Sequence, residues 1–158
     1  MRGRKIVRPV IYIILAVLVI FQFIPVTLDN PSVQADFDGP SNVRDILKRS
    51  CYDCHSNETT WPWYSHIAPV SWMVAGDVHE ARSHLNFSDW GLMSTDDQQD
   101  ARREIRKEVE QGDMPLSQYL LMHPAARLTD PDKAVIQRAF DTARDFVVQT
   151  SDAKGGSR

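Results

Sequence analysis

The sequence predicts an all-α domain preceded by a single N-terminal transmembrane helix. The first observation is an apolar run over residues 10–26, which only Gln22 and Pro25 interrupt. The second is that apolar residues farther along the chain recur at helical spacing between capping residues, and that no run of buried strands is found. The chain therefore divides into an N-terminal apolar segment and one helical domain.

The N-terminal segment is expected to anchor the chain in a membrane. The 17 residues of the apolar run span about 26 Å as a helix, which is near the short limit for crossing a bilayer. Four basic residues and no acidic residue precede the run: Arg2, Arg4, Lys5 and Arg8. Residues 1–9 should therefore stay in the cytoplasm, which makes a single-pass protein of the bacterial inner membrane with its domain in the periplasm.

A cleaved signal peptide is the alternative interpretation of residues 10–26. Val33-Gln34-Ala35 resembles a cleavage site with small residues, although it lies well past the apolar run. The segment 27–39 has no apolar period and contains Pro31, which predicts a linker. The helical domain is expected over residues 40–150, and residues 151–158 are expected to form a disordered tail.

The first two helices of the domain are predicted from their caps and apolar faces. The first opens at Pro40-Ser41-Asn42 and has one face made of Val43, Ile46, Leu47 and Cys51. The second is expected from Ser71 to Ser83. Its buried side is predicted to consist of Met73, Val74, Val78 and Ala81.

Three further helices are predicted in the second half of the chain. The capping box Thr95-Asp96-Asp97-Gln98 opens a peripheral helix that ends at Gly112, and its narrow apolar stripe is Ala101, Ile105 and Val109. A short helix is expected over Ser117 to Met122. The last helix is capped by Thr129 and should pack on the first helix of the domain through Ile136, Ala139, Ala143, Phe146 and Val147.

The charge of the chain is unevenly distributed. The formal net charge is −3, but the part after the apolar run has 21 acidic residues against 14 basic ones, or about −7. A nucleic-acid-binding domain needs a basic face, so that class of protein is excluded. The acidic surface is interpreted as a solvated face, with a basic redox partner as the sharper alternative.

The motif Cys51-Tyr52-Asp53-Cys54-His55 indicates the chemistry of the domain. It has the form C-x-x-C-H, which is the attachment motif of a c-type haem. Two thiols three positions apart lie on one helical turn, so each can add to one haem vinyl group, and the histidine that follows can reach the iron. The motif predicts one covalent haem c, attached at Cys51 and Cys54, with His55 as an axial ligand.

A bare C-x-x-C also occurs in disulfides, redox pairs and zinc sites. A zinc site of the usual kind needs a second pair of ligands, and the chain has no third cysteine. A thioredoxin-like motif would follow a strand, whereas the residues before Cys51 are predicted to form a helix. The haem interpretation is therefore favoured.

Met114 is the candidate ligand on the other side of the haem. It lies between Gly112-Asp113 and Pro115 in a stretch predicted to be non-helical. Proline stiffens the chain, so the loop can hold a weak thioether bond to iron. The common alternative is that the methionine fills the core. The rival candidates are His66, His79, His84, His123, Met73 and Met122.

Aromatic residues follow the haem motif in the stretch Trp61-Pro62-Trp63-Tyr64. The prolines predict an irregular loop. The aromatic side chains could form a wall of the haem site or cover the core, and both interpretations stay open. Trp63 and Tyr64 carry polar atoms that could bond haem propionates, which makes them candidate cofactor-binding residues.

Seven stretches of the chain form a recognisable set: Cys51 to Asn57, Trp61 to Tyr64, Pro69 to Trp72, Asp77-Val78, His84 to Trp90, Met114-Pro115 and Tyr119 to Leu128. Together they resemble the bacterial haem-binding domain family of small cytochrome c-like proteins. The resemblance covers roughly residues 42–146. It implies a mostly helical, mono-haem, cytochrome c-like domain with covalent attachment at Cys51 and Cys54, His55 as axial ligand and Met114 opposite it. Ala81 departs from the pattern, because a glycine is expected before Arg82.

Together these features predict a periplasmic, membrane-anchored cytochrome that transfers single electrons. The iron would cycle between Fe(III) and Fe(II), and His/Met ligation raises its potential. Such a protein is an electron carrier rather than an enzyme. Its expected partners are redox proteins of the cell envelope and, through the N-terminal helix, the membrane.

Two other functions stay open. A haem-based sensor or small-molecule binder would keep the distal position of the iron open. A peroxidase would also need a general acid/base such as His79 or His66 near an open iron.

Overall fold

The computed structural model describes residues 3–141 of the chain, with side chains from residue 7 onward. The described part contains helices and no strands, so the all-α prediction is confirmed there. The predicted tail over residues 151–158 lies outside the described residues, as do Ala143, Phe146 and Val147. The α-helices are α1 (Gly3–Phe21), α2 (Ser41–Ser50), α3 (Tyr52–His55), α4 (Val70–His84), α5 (Thr95–Gln111), α6 (Ser117–Met122) and α7 (Asp130–Ala139).

The prediction of a transmembrane helix is wrong. Helix α1 includes Arg4, Lys5 and Arg8 in its first turns, and its uncharged remainder, residues 9–21, is 13 residues long. Those residues span about 20 Å, well short of a hydrocarbon core of about 30 Å. Among the described residues no helix is both long and apolar enough to cross a bilayer. The predicted location, as a single-pass protein of a bacterial inner membrane, depended on this helix. The same finding shows that this prediction is wrong.

The end of α1 lies before Pro25, whose ring nitrogen cannot donate to the carbonyl of Phe21. That carbonyl instead accepts from the amide of Ile24 at 3.2 Å. Gln22 then joins the helix end to the domain, because its side chain donates to Ala68 O at 3.0 Å and accepts from Ala68 N at 3.1 Å. The apolar run of residues 10–26 is therefore divided between a helix and a turn.

The core of the domain forms around α2. Val43, Ile46 and Leu47 are buried, as their spacing predicts, and α2 contacts α7, as expected for the last helix. The segment 27–39 forms neither helix nor strand, yet Phe37 within it is 4% exposed and packs in this core. The core residues are Phe37, Val43, Ile46, Leu47, Tyr52, Phe87, Trp90, Ala101, Val109, Leu128, Ile136 and Phe140.

Helices α4 and α5 differ from expectation in two details. Met73, predicted on the buried side of α4, is 66% exposed, whereas Ala75 is buried in that helix. The N-cap of α5 is Ser94 rather than Thr95, and its side chain accepts from the amide of Asp97. Turns of 3-10 helix occupy Trp63–His66, Phe87–Leu92 and Pro124–Ala126.

Candidate functional site

The Cys-x-x-Cys-His segment lies at the joint between α2 and α3. The amide of Cys51 donates to Leu47 O at 2.8 Å, and the amide of His55 donates to Cys51 O at 2.9 Å. The backbone leaves the helical region at Cys51, where φ is −126°. Backbone hydrogen bonds therefore fix the segment on both sides of this bend, and Cys51, Cys54 and His55 line one cavity.

The ring of His55 is oriented by its Nδ1 atom, which lies 3.1 Å from Leu85 O. A carbonyl only accepts, so in this bond Nδ1 carries the proton and Nε2 keeps its lone pair. Burial lowers the pKa of His55. Hydrogen bonds to the Leu85 and Ala81 carbonyls raise this pKa, but by less than burial lowers it. The imidazole is therefore neutral at neutral pH, which is the state that binds a metal.

Both cysteines of the segment are free thiols. Burial, followed by repulsion from Cys54, raises the pKa of Cys51 to about 12. Burial, followed by repulsion from Asp53, raises the pKa of Cys54 to about 11. The thiolate is the form that binds zinc and exchanges disulfides, so this environment does not favour a zinc site or a redox pair.

A cavity of about 440 Å³ adjoins the segment. This volume falls within the range of roughly 300–1,000 Å³ that is typical of small-molecule and cofactor sites. Its wall is predominantly apolar and includes Leu47, Val109 and Ile136. Four of the residues predicted to bind haem line this one cavity: Cys51, Cys54, His55 and Met114.

Met114 reaches the cavity from the loop between α5 and α6. Helix α5 ends at Gly112, whose φ of 77° is left-handed and suits a residue without a Cβ. The amides of Gly112, Asp113 and Met114 all donate to Glu108 O, at 3.1, 3.1 and 3.4 Å. This helix end leads the chain directly to Met114 and Pro115 in the cavity wall.

Three of the rival histidines lie outside the cavity wall. The Nε2 atom of His123 is 2.8 Å from the hydroxyl of Tyr64, so that hydrogen bond occupies it. The Nε2 atom of His79 lies 3.6 Å from Asp29 Oδ1. His66 is exposed. None of the three lines the cavity.

The remaining rivals are two methionines and one histidine. Met73 and Met122 are 66% and 55% exposed, and neither lines the cavity. His84 does line it. However, His84 is exposed, whereas Met114 is half-buried. Met114 also comes from a segment of the chain separate from the one that carries His55.

Trp63 and Tyr64 are not part of the cavity wall. Trp63 is 69% exposed, and its ring meets the ring of Tyr64 edge-on at 5.8 Å. The hydroxyl of Tyr64 is engaged by His123. Their positions therefore give no support to the predicted bonds with haem propionates.

The sequence interpretation overlooked the acidic side of the cavity. Acidic residues three or four positions apart lie on one face of a helix. This spacing, beside the apolar stripes of α4 and α5, was the sequence signal that could have predicted the acidic side of the cavity. Tyr119 and Asp53 also line the cavity and are hydrogen-bonded to each other at 2.7 Å. The acidic lining residues are Asp53, Asp77, Glu80, Glu104 and Glu108.

The residues of the cavity fit a large, mostly apolar cofactor with a few polar atoms. Ser50 lines the cavity and is 5% exposed, and its Oγ atom has no hydrogen-bond partner among the residues that the structure describes. A buried hydroxyl without a partner is costly, so a bound group that supplies one would relieve that cost. The neutral His55 imidazole supplies a nitrogen donor suited to iron.

A helical domain with a Cys-x-x-Cys-His segment in the wall of an apolar cavity belongs to the class of haem-binding proteins. The family described as haem-binding domain matches residues 16–142, which is most of the chain. The chain belongs to that family, as the resemblance implied. No curated protein and no solved structure matches the chain.

Proposed function

We propose that this haem-binding domain is a c-type cytochrome that carries single electrons. Cys51 and Cys54 would hold the haem covalently, and His55 and Met114 would bind its iron. The observation that carries the proposal is that these four side chains, from two segments of the chain, line one predominantly apolar cavity. When bound there, haem supplies a one-electron Fe(III)/Fe(II) couple.

The chain supplies the orientation of the ligands and the exclusion of water. The Leu85 carbonyl fixes the His55 ring and leaves Nε2 to bind iron. The left-handed Gly112 turns the chain out of α5 and leads to Met114. The apolar wall keeps water away from the site and so favours a stable ligand set over an exchangeable one.

The positions of His66 and His79 do not support a peroxidase. His66 and His79, its candidate acid/base groups, do not line the cavity. A haem-based sensor or small-molecule binder differs from an electron carrier mainly at the distal position. Met114 therefore decides between these two functions.

An electron carrier also needs a partner that docks beside the cavity. Asp77, Glu80 and Glu104 line the cavity and are exposed. Carboxylates at this position favour a redox protein with a basic docking surface, because complementary charge steers the encounter.

The test is the absorption spectrum and potential of the haem-loaded protein after Met114→Ala. Wild-type protein should show a sulfur-to-iron band and, when reduced, should not bind carbon monoxide. Met114→Ala should lose the band, bind carbon monoxide and have a lower potential, because the thioether ligand raises it. The matched control is Met122→Ala, which removes an exposed methionine outside the cavity and should behave as wild type.

Retention of the wild-type band by Met114→Ala would show that Met114 is not a ligand. Ready binding of carbon monoxide by the wild-type protein would favour the open distal position of a sensor.

A further inference from the structure

One side-chain hydrogen bond connects the haem-attachment segment to α6. The hydroxyl of Tyr119 donates to Asp53 Oδ2 at 2.7 Å, and the amide of Thr60 donates to Oδ1 of the same carboxylate at 3.0 Å. Asp53 lies between Cys51 and Cys54 in the motif. Because both of its oxygens accept hydrogen bonds, the Asp53 carboxylate is held facing α6.

Tyr119 is itself held in one orientation. Its ring stacks on His123 with centroids 4.3 Å apart and planes 9° apart. The Nε2 atom of His123 is in turn 2.8 Å from the hydroxyl of Tyr64. Burial, followed by the hydrogen bond to Asp53, raises the pKa of Tyr119, so its hydroxyl stays protonated and remains a donor. A charged acceptor makes this hydrogen bond a strong one.

Helix α6 follows the Met114 loop with almost no intervening chain. The helix begins at Ser117, and its first backbone bond runs from Leu120 N to Leu116 O at 3.1 Å. On the α5 side, the amide of Met114 reaches Glu108 O only at 3.4 Å, which is a long bond. The position of Met114 therefore depends on where α6 is held.

We propose that Tyr119 is a positioning residue for the distal ligand. Its hydrogen bond to Asp53 holds α6, and with it Met114, against the segment that binds the other side of the haem. The inference rests on the proposed function, because it requires Met114 to be on the iron. Without the bond the loop opens more often, and an external ligand competes more successfully for the distal position.

The test is the affinity of imidazole for the oxidised, haem-loaded full chain. It is measured by the loss of the sulfur-to-iron band as imidazole is added. Tyr119→Phe removes the hydroxyl and keeps the ring that stacks on His123. We expect imidazole to bind on the order of tenfold more tightly to this variant, the factor that loss of one hydrogen bond to a charged group produces.

The matched control is Tyr52→Phe. The hydroxyl of Tyr52 donates to Asp36 Oδ1 at 2.8 Å, so the variant removes the same kind of bond at nearly the same length. That bond ties the motif to the segment 27–39 and not to α6. Tyr52→Phe should therefore leave the imidazole affinity unchanged. Equal tightening in both variants, or none in Tyr119→Phe, would overturn the proposal.

Two variants of the acceptor give a second measurement if Tyr119→Phe accumulates poorly. Asp53→Asn can still hydrogen-bond the hydroxyl but loses the charge that strengthens the bond, so its imidazole affinity should lie between those of wild type and Tyr119→Phe, whereas Asp53→Ala should tighten imidazole binding as Tyr119→Phe does. Met114→Ala separates the two proposals. If Met114→Ala keeps the band, the ligand assignment fails; if it loses the band and Tyr119→Phe behaves as wild type, only the positioning role fails.

Discussion

At the scale of single residues, Arg82 fixes the turn that follows the Cys-x-x-Cys-His segment. Its Nε atom donates to Ser56 O and its Nη2 atom to Thr59 Oγ1, both at 2.8 Å. The other donors reach Asp29 O and Asn30 Oδ1, each at 3.0 Å. The side chain is 11% exposed. One guanidinium thus holds α4, the turn after His55 and the irregular segment 27–39 together, which suits the planar fork of arginine.

Arg82→Ala should lower the free energy of unfolding by about 2–4 kcal/mol, because the acceptors on the buried residues Ser56 and Thr59 lose their donor. Arg82→Lys should recover only part of that loss, since one ammonium group cannot reach all four acceptors. The measurement is denaturant unfolding of the haem-loaded protein. Arg103→Ala is the control; its side chain is 59% exposed, and the change should stay within roughly 0.5 kcal/mol. Equal effects of Arg82→Ala and Arg103→Ala would contradict this role.

At the scale of elements, the start of α7 shows how local sequence sets a helix boundary. The side chain of Thr129 accepts from the amide of Asp132, and the side chain of Asp132 accepts from the amide of Thr129. Arg49 of α2 also donates to Asp132 Oδ2 at 2.8 Å. The cap therefore also connects α7 to the helix on which it packs.

The α7 cap should make the stability of the protein depend on pH in the acidic range. The backbone hydrogen bond from Thr129 lowers the pKa of Asp132 below its ordinary 3.8. A carboxyl with a lowered folded pKa stabilises the fold above its unfolded pKa, and the stabilisation is lost as the pH falls through the folded pKa. Asp132→Asn should therefore destabilise the protein at pH 6 and flatten the decline in stability below about pH 4.

Unfolding titrations between pH 6 and pH 3 measure this dependence. Thr129→Ala should cost about 1 kcal/mol at pH 6 through loss of the same cap. A decline below pH 4 that is identical in wild type and Asp132→Asn would show that another group is responsible.

Helix boundaries elsewhere were predictable only to the nearest capping residue. Ser94 and Thr95 carry equivalent hydroxyls, and the sequence cannot show which of them faces the amide of Asp97. The face of α4 was harder to assign. Met73 is exposed although it is apolar, because α3 and the 3-10 turn Trp63–His66 decide which surface of α4 is buried, and the pattern of α4 itself does not.

At the scale of the whole molecule, the cavity lies among the elements that form the core. Leu47, Val109 and Ile136 belong to the core and also line the cavity. A domain of this size buries a limited apolar area, so a large apolar cofactor in contact with its core should contribute strongly to folding.

The variant Cys51→Ser with Cys54→Ser tests both attachment and this dependence. Wild-type protein matured in a host with c-type haem assembly should keep its pigment in acidified organic solvent and give the pyridine haemochrome spectrum of haem c. The double variant should release any pigment under the same conditions and accumulate little folded protein. Circular dichroism and the extraction measure the two outcomes. A colourless double variant with normal helix content would contradict the dependence on the cofactor.

The sequence alone determined the helical class, most helix starts, and the Cys-x-x-Cys-His motif, because these depend on neighbours within a few residues along the chain. Only the tertiary structure placed Met114 in the same cavity as His55 and left His79, His123, Trp63 and Tyr64 outside it. It also paired Tyr119 with Asp53 and brought Phe37 into the core. These contacts join residues far apart in the chain. A local sequence pattern does not show which face of a helix a distant segment will cover.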